Sequence, residues 1–317
     1  MSYTSESAQR NHSMLTSFIF FRFWRHPETR AILCVSFSII YTIALTGNIL
    51  IIFMTVLDPA LHTPMYFFLR NLSFLEICYT SVTIPKMLVN LISEERAISF
   101  SGCAAQMYFL LSLGTTECYL LAAMAYDRYR AICSPLHYTL LMNHRVCAKM
   151  AAACWLCGIL MPLGNVAWIF SLPYCGPNEV NHFFCDIYPV LKLACGDTSR
   201  NEASILAFSV LINLSPFLLV VVSYAQILSS ILKTPSAEGR QKAFSTCSSH
   251  LTVVTLFYGS ACAIYLRPKS NHTVEVDMLI SLFYSVLAPV LNPVIYSLRN
   301  KEVKSALSRL RGRRKFS

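Results

Sequence analysis

The feature that most limits the possible folds of this chain is a set of seven long apolar runs. They extend approximately over residues 31–57, 65–91, 103–133, 147–170, 203–232, 244–266 and 278–298. Each has about 20 residues or more, the length that a helix needs to cross roughly 30 Å of hydrocarbon. Backbone polar groups in lipid must be satisfied within the segment, so each run is predicted to be a helix. The predicted fold is an all-α membrane protein, a seven-transmembrane helix bundle.

The composition agrees with lipid as the surrounding medium. Hydrophobic residues make up 55% of the 317 residues and charged residues only 13%, whereas soluble domains carry about 25% charged residues. The loops between the runs are short, apart from residues 171–202. The sequence contains no soluble domain, internal repeat or phosphate-binding glycine-rich loop, and no hydrolase or metalloprotease motif. These observations do not indicate an enzyme.

The distribution of lysine and arginine predicts the orientation. With the amino terminus outside, the cytoplasmic side carries 16 basic and 4 acidic residues, and the outer side carries 10 of each. Arg22, Arg25 and Arg30 precede the first run and favour the opposite orientation. The charge summed over all loops and tails nevertheless favours an outside amino terminus. Three parts follow: an extracellular tail over 1–30, the bundle over 31–298, and a basic cytoplasmic tail over 299–317. This tail directly follows a spanning run, so it is predicted to form an amphipathic helix on an anionic leaflet, and nucleic acid is not an expected partner.

Most of the thirteen cysteines lie in or beside apolar runs, where a thiol behaves as a small hydrophobe. Four of them, Cys103, Cys175, Cys185 and Cys195, lie in polar flanks and are the disulfide candidates. They predict an oxidising, extracellular environment. Spacing alone leaves all three pairings open. The pair Cys154 and Cys157 has the spacing of a metal site, but it lies within an apolar run without a second ligand pair, so no metal or cofactor is expected.

Polar residues inside the apolar runs are costly in lipid and point to function. Glu76, Glu117, Asn48 and Asn292 lie in the middle of the second, third, first and seventh runs. Facing inward, they would form one polar cluster able to hold a cation or a shared proton. The alternative is a hydrogen-bonded network that only fixes helix packing.

Five sequence strings resemble the signatures of one family. They are MAYDRYRAIC with SPLHY over 124–138, PMYFFLRNLSFLE over 64–76, KAFSTCSSHL over 242–251, and PVLNPVIYSLRN over 289–300. Gly47-Asn48 and Ser223-Tyr224 also match. In their order along the chain, and each in or directly beside its proper run, the strings are similar to those of odorant (olfactory) receptors of the tetrapod-type class, a branch of the rhodopsin-like G-protein-coupled receptors. The resemblance covers nearly the whole chain.

The resemblance implies a conformational switch at the cytoplasmic end. An ion pair between Asp127 and Arg128 would restrain the arginine, and activation would free Arg128 to meet Tyr224 and a Gα subunit. Proline at positions 289 and 293 removes backbone donors and permits a kink. The predicted switch residues are Asp127, Arg128, Tyr129, Tyr224, Lys242, Asn292, Pro293 and Tyr296. On their own, an aspartate and an arginine at a helix end would favour interfacial anchoring, and the Asn292-Pro293 to Tyr296 string is what favours the switch.

The resemblance also implies the outer features. Cys103 would pair with Cys185, Cys175 would pair with Cys195, and Asn11 would be glycosylated. The predicted ligand cavity is lined by Met107, Leu110, Leu111, Gly114, Thr115, Phe208, Ser209, Ile212, Tyr258, Ala261, Cys262, Tyr265, Ser281 and Ser285. Leu110 stands where amine receptors carry an aspartate, so the expected ligand is small, neutral and largely hydrophobic. The alternative for each residue is ordinary packing on an inward helix face.

The function implied is that of an odorant receptor in the plasma membrane of olfactory sensory neuron cilia. Its partners would be an odorant, the lipid bilayer and a heterotrimeric G protein of the stimulatory, olfactory type, which raises cyclic AMP. One alternative is a receptor for a non-volatile metabolite outside the nose. The other is a transporter or channel. One departure from the family is Arg130, at a position where the family usually carries valine.

Overall fold

The computed structural model describes residues 16–21, 26–175, 178–233, 236–265 and 274–298. Within this part of the chain, seven long helices form a bundle. They are α1 (Pro27–Leu57), α2 (Pro64–Ile92), α3 (Phe100–Cys133), α4 (His144–Phe170), α5 (Ser199–Lys233), α6 (Ala237–Tyr265) and α7, which consists of Val274–Leu282, a π-helical turn over Phe283–Leu287, and Ala288–Leu298. Each helix contains one of the predicted apolar runs, except that the sixth run ends at Leu266, one residue beyond the described part of α6. The predicted seven-helix bundle is confirmed.

Local signals explain several of the helix starts. Pro27 and Pro64 occupy first-turn positions of α1 and α2, where a missing N–H costs nothing. The side chains of Ser99 and Asn143 cap α3 and α4 by accepting hydrogen bonds from Gly102 N and Val146 N, each at 3.1 Å. The capped helices α3 and α4 therefore begin three residues before their apolar runs do.

Six of the described helical segments are long and apolar enough to cross a membrane. These are the helices α1 to α5 and the segment Met278–Tyr296 of α7. The helix α6 has a comparable length of 29 residues but opens on the polar stretch AEGRQK. Apolar side chains such as Ile32, Phe53 and Leu219 point away from the bundle and are more than half exposed. In a membrane protein, such a surface faces lipid.

The helix α3 lies at the centre of the bundle, packed against α2, α4, α5 and α6, while α1 packs on α2 and α7. Two glycines allow close helix contacts. A Cβ atom at Gly158 of α4 would lie 1.8 Å from Thr116 Oγ1 of α3, and one at Gly47 of α1 would lie 3.1 Å from Pro293 Cβ of α7. Since these distances are too short for a larger side chain to fit without movement, glycine sets the spacing at both crossings.

A small sheet closes one end of the bundle. Its strands are β1 (Ser17–Phe20), β2 (Ala97–Ser99) and β3 (Glu179–Val180), in the order β2-β1-β3, with β1 antiparallel to β2 and parallel to β3. Phe18 and Phe20 of β1 are almost completely buried in a cluster that also contains Met107 of α3. We call this the sheet end of the bundle, and the opposite end, where Arg128 lies, the Arg128 end.

The strand β1 was not predicted from the sequence, which indicated an extracellular tail over this segment. Asn11 and the predicted amphipathic helix in 299–317 lie outside the described residues. They remain predictions.

Candidate ligand cavity and switch

Two disulfides hold the long loop at the sheet end. Cys103, in the first turn of α3, is bonded to Cys185, and Cys175 is bonded to Cys195. This is the pairing that the resemblance implied. The side chain of Gln106 strengthens the attachment, because its Oε1 accepts from Cys185 N at 2.9 Å and its Nε2 donates to Val82 O at 3.1 Å. The loop is thereby fixed to α2 and α3.

A buried histidine of the same loop contacts α7. His182 Nε2 lies 3.1 Å from Ser281 Oγ, and the His182 ring packs edge-on against Phe184 with centroids 4.4 Å apart. Ser281 was predicted to bind ligand, but its hydroxyl here bonds to the protein. This contact of His182 was not predicted from the sequence. Its only signal was a histidine close to Cys185, which is too common a pattern to interpret alone.

The predicted cavity residues fall into three groups. Seven are buried: Met107, Leu110, Thr115, Ile212, Tyr258, Ser281 and Ser285. Four are partly exposed: Leu111, Gly114, Phe208 and Ser209. The side chains of Ala261, Cys262 and Tyr265 lie outside the described part of the structure. Leu110 and Tyr258 belong to the main core cluster, whereas Met107 and Leu111 pack with the sheet.

Tyr258 ties α6 to α3 at the level of these residues. Its hydroxyl donates to Cys118 O at 3.4 Å, and its ring lies 5.0 Å from that of Phe217 in α5. On the α3 side, a Cβ atom at Gly114 would meet no heavy atom within 4 Å. Open space therefore exists beside α3 at Gly114. This position is one helical turn from Cys118, whose carbonyl oxygen accepts the hydrogen bond from Tyr258.

The four polar residues in the middle of the bundle are all buried. Asn292 Nδ2 donates a hydrogen bond to Glu76 Oε1, which joins α7 to α2. Glu76 Oε2 has no hydrogen-bond partner within the described ranges, and Glu117 lies close enough to interact with Glu76 electrostatically. Asn48 bonds instead to backbone, with its Nδ2 2.9 Å from Ala44 O and 3.4 Å from Pro289 O. The group links four helices.

At the Arg128 end, Asp127 is engaged by a tyrosine that follows α3. Tyr138, in the short helical turn Tyr138–Leu141, donates to Asp127 Oδ1 at 2.8 Å. Burial, together with the nearby Asp127 carboxylate, raises the pKa of Tyr138, so the phenol keeps the proton that it donates. Asp127 and Arg128 also interact electrostatically, and both are buried. Tyr138 belongs to the SPLHY string, but its bond to Asp127 was not predicted from the sequence.

A second tyrosine and a histidine join three helices at this end. His250 Nε2 of α6 lies 3.1 Å from Leu121 O of α3, and His250 Nδ1 lies 2.7 Å from the Tyr224 hydroxyl of α5. A carbonyl oxygen only accepts, so Nε2 donates to Leu121 and Nδ1 accepts from Tyr224. The two rings stack at 5.8 Å with an interplanar angle of 12°. We call Tyr224, His250 and Leu121 the α6 latch.

The remaining switch residues lie near the latch or on α7. Tyr296 is buried, and its hydroxyl has no partner among the atoms that the structure describes. Tyr129 and Tyr126 hold the guanidinium of Arg130, whose Cζ lies 5.3 Å and 5.0 Å from their ring centroids. The side chain of Lys242 lies outside the described part.

Comparisons with known proteins identify the family. The sequence profile of the family described as "Olfactory receptor" matches residues 37–313 of this chain. The chain belongs to the olfactory receptor family. It is 55% identical to human olfactory receptor 10C1 over 299 residues, which cover 94% of this chain and 96% of that protein. It is 54% identical to human olfactory receptor 10A7, with coverage of 94% and 95%.

A solved structure supports the same fold. The crystal structure of squid rhodopsin aligns with a TM-score of 0.74 and 20% sequence identity, over 90% of this chain and 81% of rhodopsin. This olfactory receptor therefore has the seven-helix fold of the rhodopsin-like G-protein-coupled receptors. It is a multi-pass membrane receptor that binds a ligand and couples to a G protein, and not an enzyme.

Proposed function

We propose that this receptor binds small, neutral, largely hydrophobic odorants between α3, α5, α6 and α7, and that it activates a stimulatory, olfactory-type G protein. The observation that carries the proposal is a pair of hydrogen bonds from α6 to α3. Tyr258 bonds to Cys118 O among the predicted cavity residues, and His250 bonds to Leu121 O near Arg128. One helix thus contacts both the proposed ligand site and the proposed switch.

The mechanism follows from these two contacts. An odorant that packs against the Tyr258 ring competes with its hydrogen bond to Cys118 and changes how α6 lies on α3. Any displacement of α6 also strains the α6 latch, because His250 bonds to both α3 and α5. The receptor would thus exist in two arrangements, one with the α6 latch closed and one with it released. A ligand shifts the equilibrium between them only if it binds one arrangement more tightly than the other. Release of the latch would expose Arg128, which is 7% exposed here, to the Gα subunit.

The surface at the Arg128 end suits a protein partner. Leu136 is 92% exposed and Leu140 is 72% exposed, on the short turns that follow α3. Exposed apolar residues beside a buried, releasable arginine offer a patch that a G protein can cover. Arg130, held by its two tyrosines, adds a fixed positive charge to the same surface.

The chemistry of the cavity supports a neutral ligand. None of the described side chains in the predicted set is ionisable at neutral pH, and its polar groups are hydroxyls, those of Thr115, Tyr258 and the serines. Apolar walls with a few placed polar groups are characteristic of sites for small ligands. One or two hydrogen bonds with apolar contacts are expected to hold the odorant.

We propose that the sheet end faces the exterior and the Arg128 end the cytoplasm. Both disulfides lie at the sheet end, and disulfides persist in oxidising compartments. The excess of lysine and arginine on the opposite side supports the same orientation. The cilia of olfactory sensory neurons are the proposed location.

The function is tested by screening odorants with a cyclic-AMP reporter in cells that express the receptor with an amino-terminal epitope tag. Tag staining of intact cells measures both surface level and orientation. The variant Arg128→Ala is expected to lose at least tenfold of the odorant-induced signal at equal surface level, because it lacks the cation that meets Gα. Arg145→Ala removes an exposed arginine of α4 at the same end and serves as control. Equal signals from both variants would contradict the proposal, as would staining only after permeabilisation.

The ligand site is tested at Tyr258. Replacing Tyr258→Ala removes the ring contact with Phe217 and is expected to weaken odorant potency about tenfold or more. Tyr258→Phe keeps the ring but removes the bond to Cys118, so it is expected to raise basal signalling with a smaller change in potency. Tyr41→Phe, which removes a hydroxyl bonded to Ser81 at 3.0 Å between α1 and α2, is the control. Unchanged potency in Tyr258→Ala for every active odorant would exclude this site.

A further inference from the structure

A groove lies between α1 and α2 at the sheet end, away from the predicted odorant cavity. It has a volume of about 360 Å³ and is lined by Pro27, Arg30, Ala31, Cys34, Val35, Leu91 and Ile92. Six of these seven side chains are apolar or a thiol, and the seventh is an arginine. As far as the described residues form it, the groove is thus an apolar surface with a single cation.

Arg30 is the unusual member of this group. Its Nε is buried, yet it has no hydrogen-bond partner among the residues that the structure describes. A buried donor without a partner has lost its hydrogen bonds to water without replacement, and this cost is larger for a charged group. The groove therefore offers an unused cationic donor that an anion could satisfy.

The depth of the groove matches a lipid molecule. Arg30 lies in the first turn of α1, which begins at Pro27, where a membrane helix passes the headgroup layer. Val35 lies five residues further along, about 7.5 Å deeper at 1.5 Å per residue. Leu91 and Ile92 are the last residues of α2, so they lie beside the first turns of α1 on the other side of the groove. The charge of Arg30 lies at the headgroup level, and the apolar surface of Cys34 and Val35 continues below it.

The groove is open toward the bilayer. Val35 is 59% exposed and Ile92 is 71% exposed, and the neighbouring Ile32 is also exposed on α1. A lipid can therefore enter sideways from the membrane. A soluble anion would gain nothing from the apolar part of this surface.

The geometry points to a phospholipid-binding site in this groove, with Arg30 holding the lipid phosphate and one acyl chain lying along Cys34, Val35, Leu91 and Ile92. A guanidinium is planar and pairs with phosphate oxygens by two parallel hydrogen bonds. The bound lipid would join α1 to α2 at the end of the bundle that carries the sheet. Simple anchoring of Arg30 among headgroups, without a specific site, is the alternative.

The test uses the full-length receptor in nanodiscs of phosphatidylcholine that contain a trace of a phosphatidylcholine with a diazirine in its acyl chain. After illumination, crosslinks are mapped by mass spectrometry. Crosslinks are expected at 31–35 and 91–92, and labelling there is expected to fall about tenfold in Arg30→Gln. The control Arg200→Gln removes an exposed arginine from the first turn of α5, at the same end of the bundle, and should leave labelling unchanged.

A second variant covers the case in which Arg30→Gln does not fold. Val35→Trp keeps Arg30 but fills the groove from an exposed position, and it is expected to reduce labelling to a similar extent, whereas Val210→Trp on the exposed face of α5 should not. Equal labelling in wild type, Arg30→Gln and Val35→Trp would overturn the proposal and favour anchoring alone. A diazirine fatty acid that labels the groove more strongly than the phospholipid would also overturn it, because the site would then select a carboxylate.

Discussion

The substitution Gly158→Ala is expected to remove most of the correctly folded receptor from the cell surface. The added Cβ atom would lie 1.8 Å from Thr116 Oγ1 and 2.6 Å from Ser112 O, both on α3. Thr116 Oγ1 is itself bonded to Ser112 O at 2.8 Å, and a backbone carbonyl in a helix has little freedom to move. The helices α3 and α4 must therefore separate. Overpacking of this kind costs about 1–3 kcal/mol or more. The measurements are surface staining and the thermal unfolding of purified receptor.

The matched control is Gly164→Ala in the same helix. A Cβ atom at Gly164 meets nothing within 4 Å, so this variant is expected to match or exceed the wild type in stability, because alanine is the better helix former. The double variant Gly158→Ala with Thr116→Ala is expected to recover only part of the loss, since the Ser112 carbonyl still obstructs. Wild-type surface levels for Gly158→Ala would show that the α3–α4 crossing tolerates a wider separation than the structure has.

The second large effect is expected from the disulfide between Cys103 and Cys185. This bond closes a sequence separation of 82 residues, and removing a native disulfide costs about 2–5 kcal/mol. Either Cys103→Ser or Cys185→Ser should lower the thermal midpoint of the purified receptor and its response to odorants. The response falls because the loop also places His182 against Ser281, beside the proposed ligand site.

A double-mutant cycle distinguishes the bond from the two side chains. The double variant should be no less stable than either single variant, because each single change already breaks the bond. Cys157→Ser, at a free cysteine of α4, is the control and should behave as wild type. If the two single effects added fully in the double variant, the two cysteines would be acting separately and the bridge would not be the cause.

The helices were predictable because each is defined by a local property of the sequence. A run of 20 or more apolar residues has to be helical in lipid whatever lies beside it, so α1 to α7 follow from composition and length. The predicted runs were shorter than the helices, mainly because the helices begin several residues before the apolar part. At their amino ends, polar capping residues such as Asn143 extend the helix beyond the apolar part.

The contacts that make up the site depend on distant pairs, which a single sequence does not reveal. His250 joins α3 and α5 across 129 and 26 residues, and Tyr138 reaches back 11 residues to Asp127. Ser281 was predicted to bind ligand by counting outward from the motif of the seventh run, and the sequence did not reveal the contact of its hydroxyl with a loop histidine 99 residues away. Gly158 is one of ten glycines, and only the distance between α3 and α4 distinguishes it.

The sheet at the end of the bundle imposes an order on assembly during synthesis. Strand β1 is made first, yet its partner Val180 is 160 residues away from Phe20, beyond four complete helices. At about 5–20 residues per second, translation needs roughly 10–30 s to supply that partner. For this time Phe18 and Phe20 have no native partner on one side, so the nascent chain carries an unpaired, aromatic edge. The native sheet end of the bundle therefore cannot form until the loop that follows α4 has been synthesised.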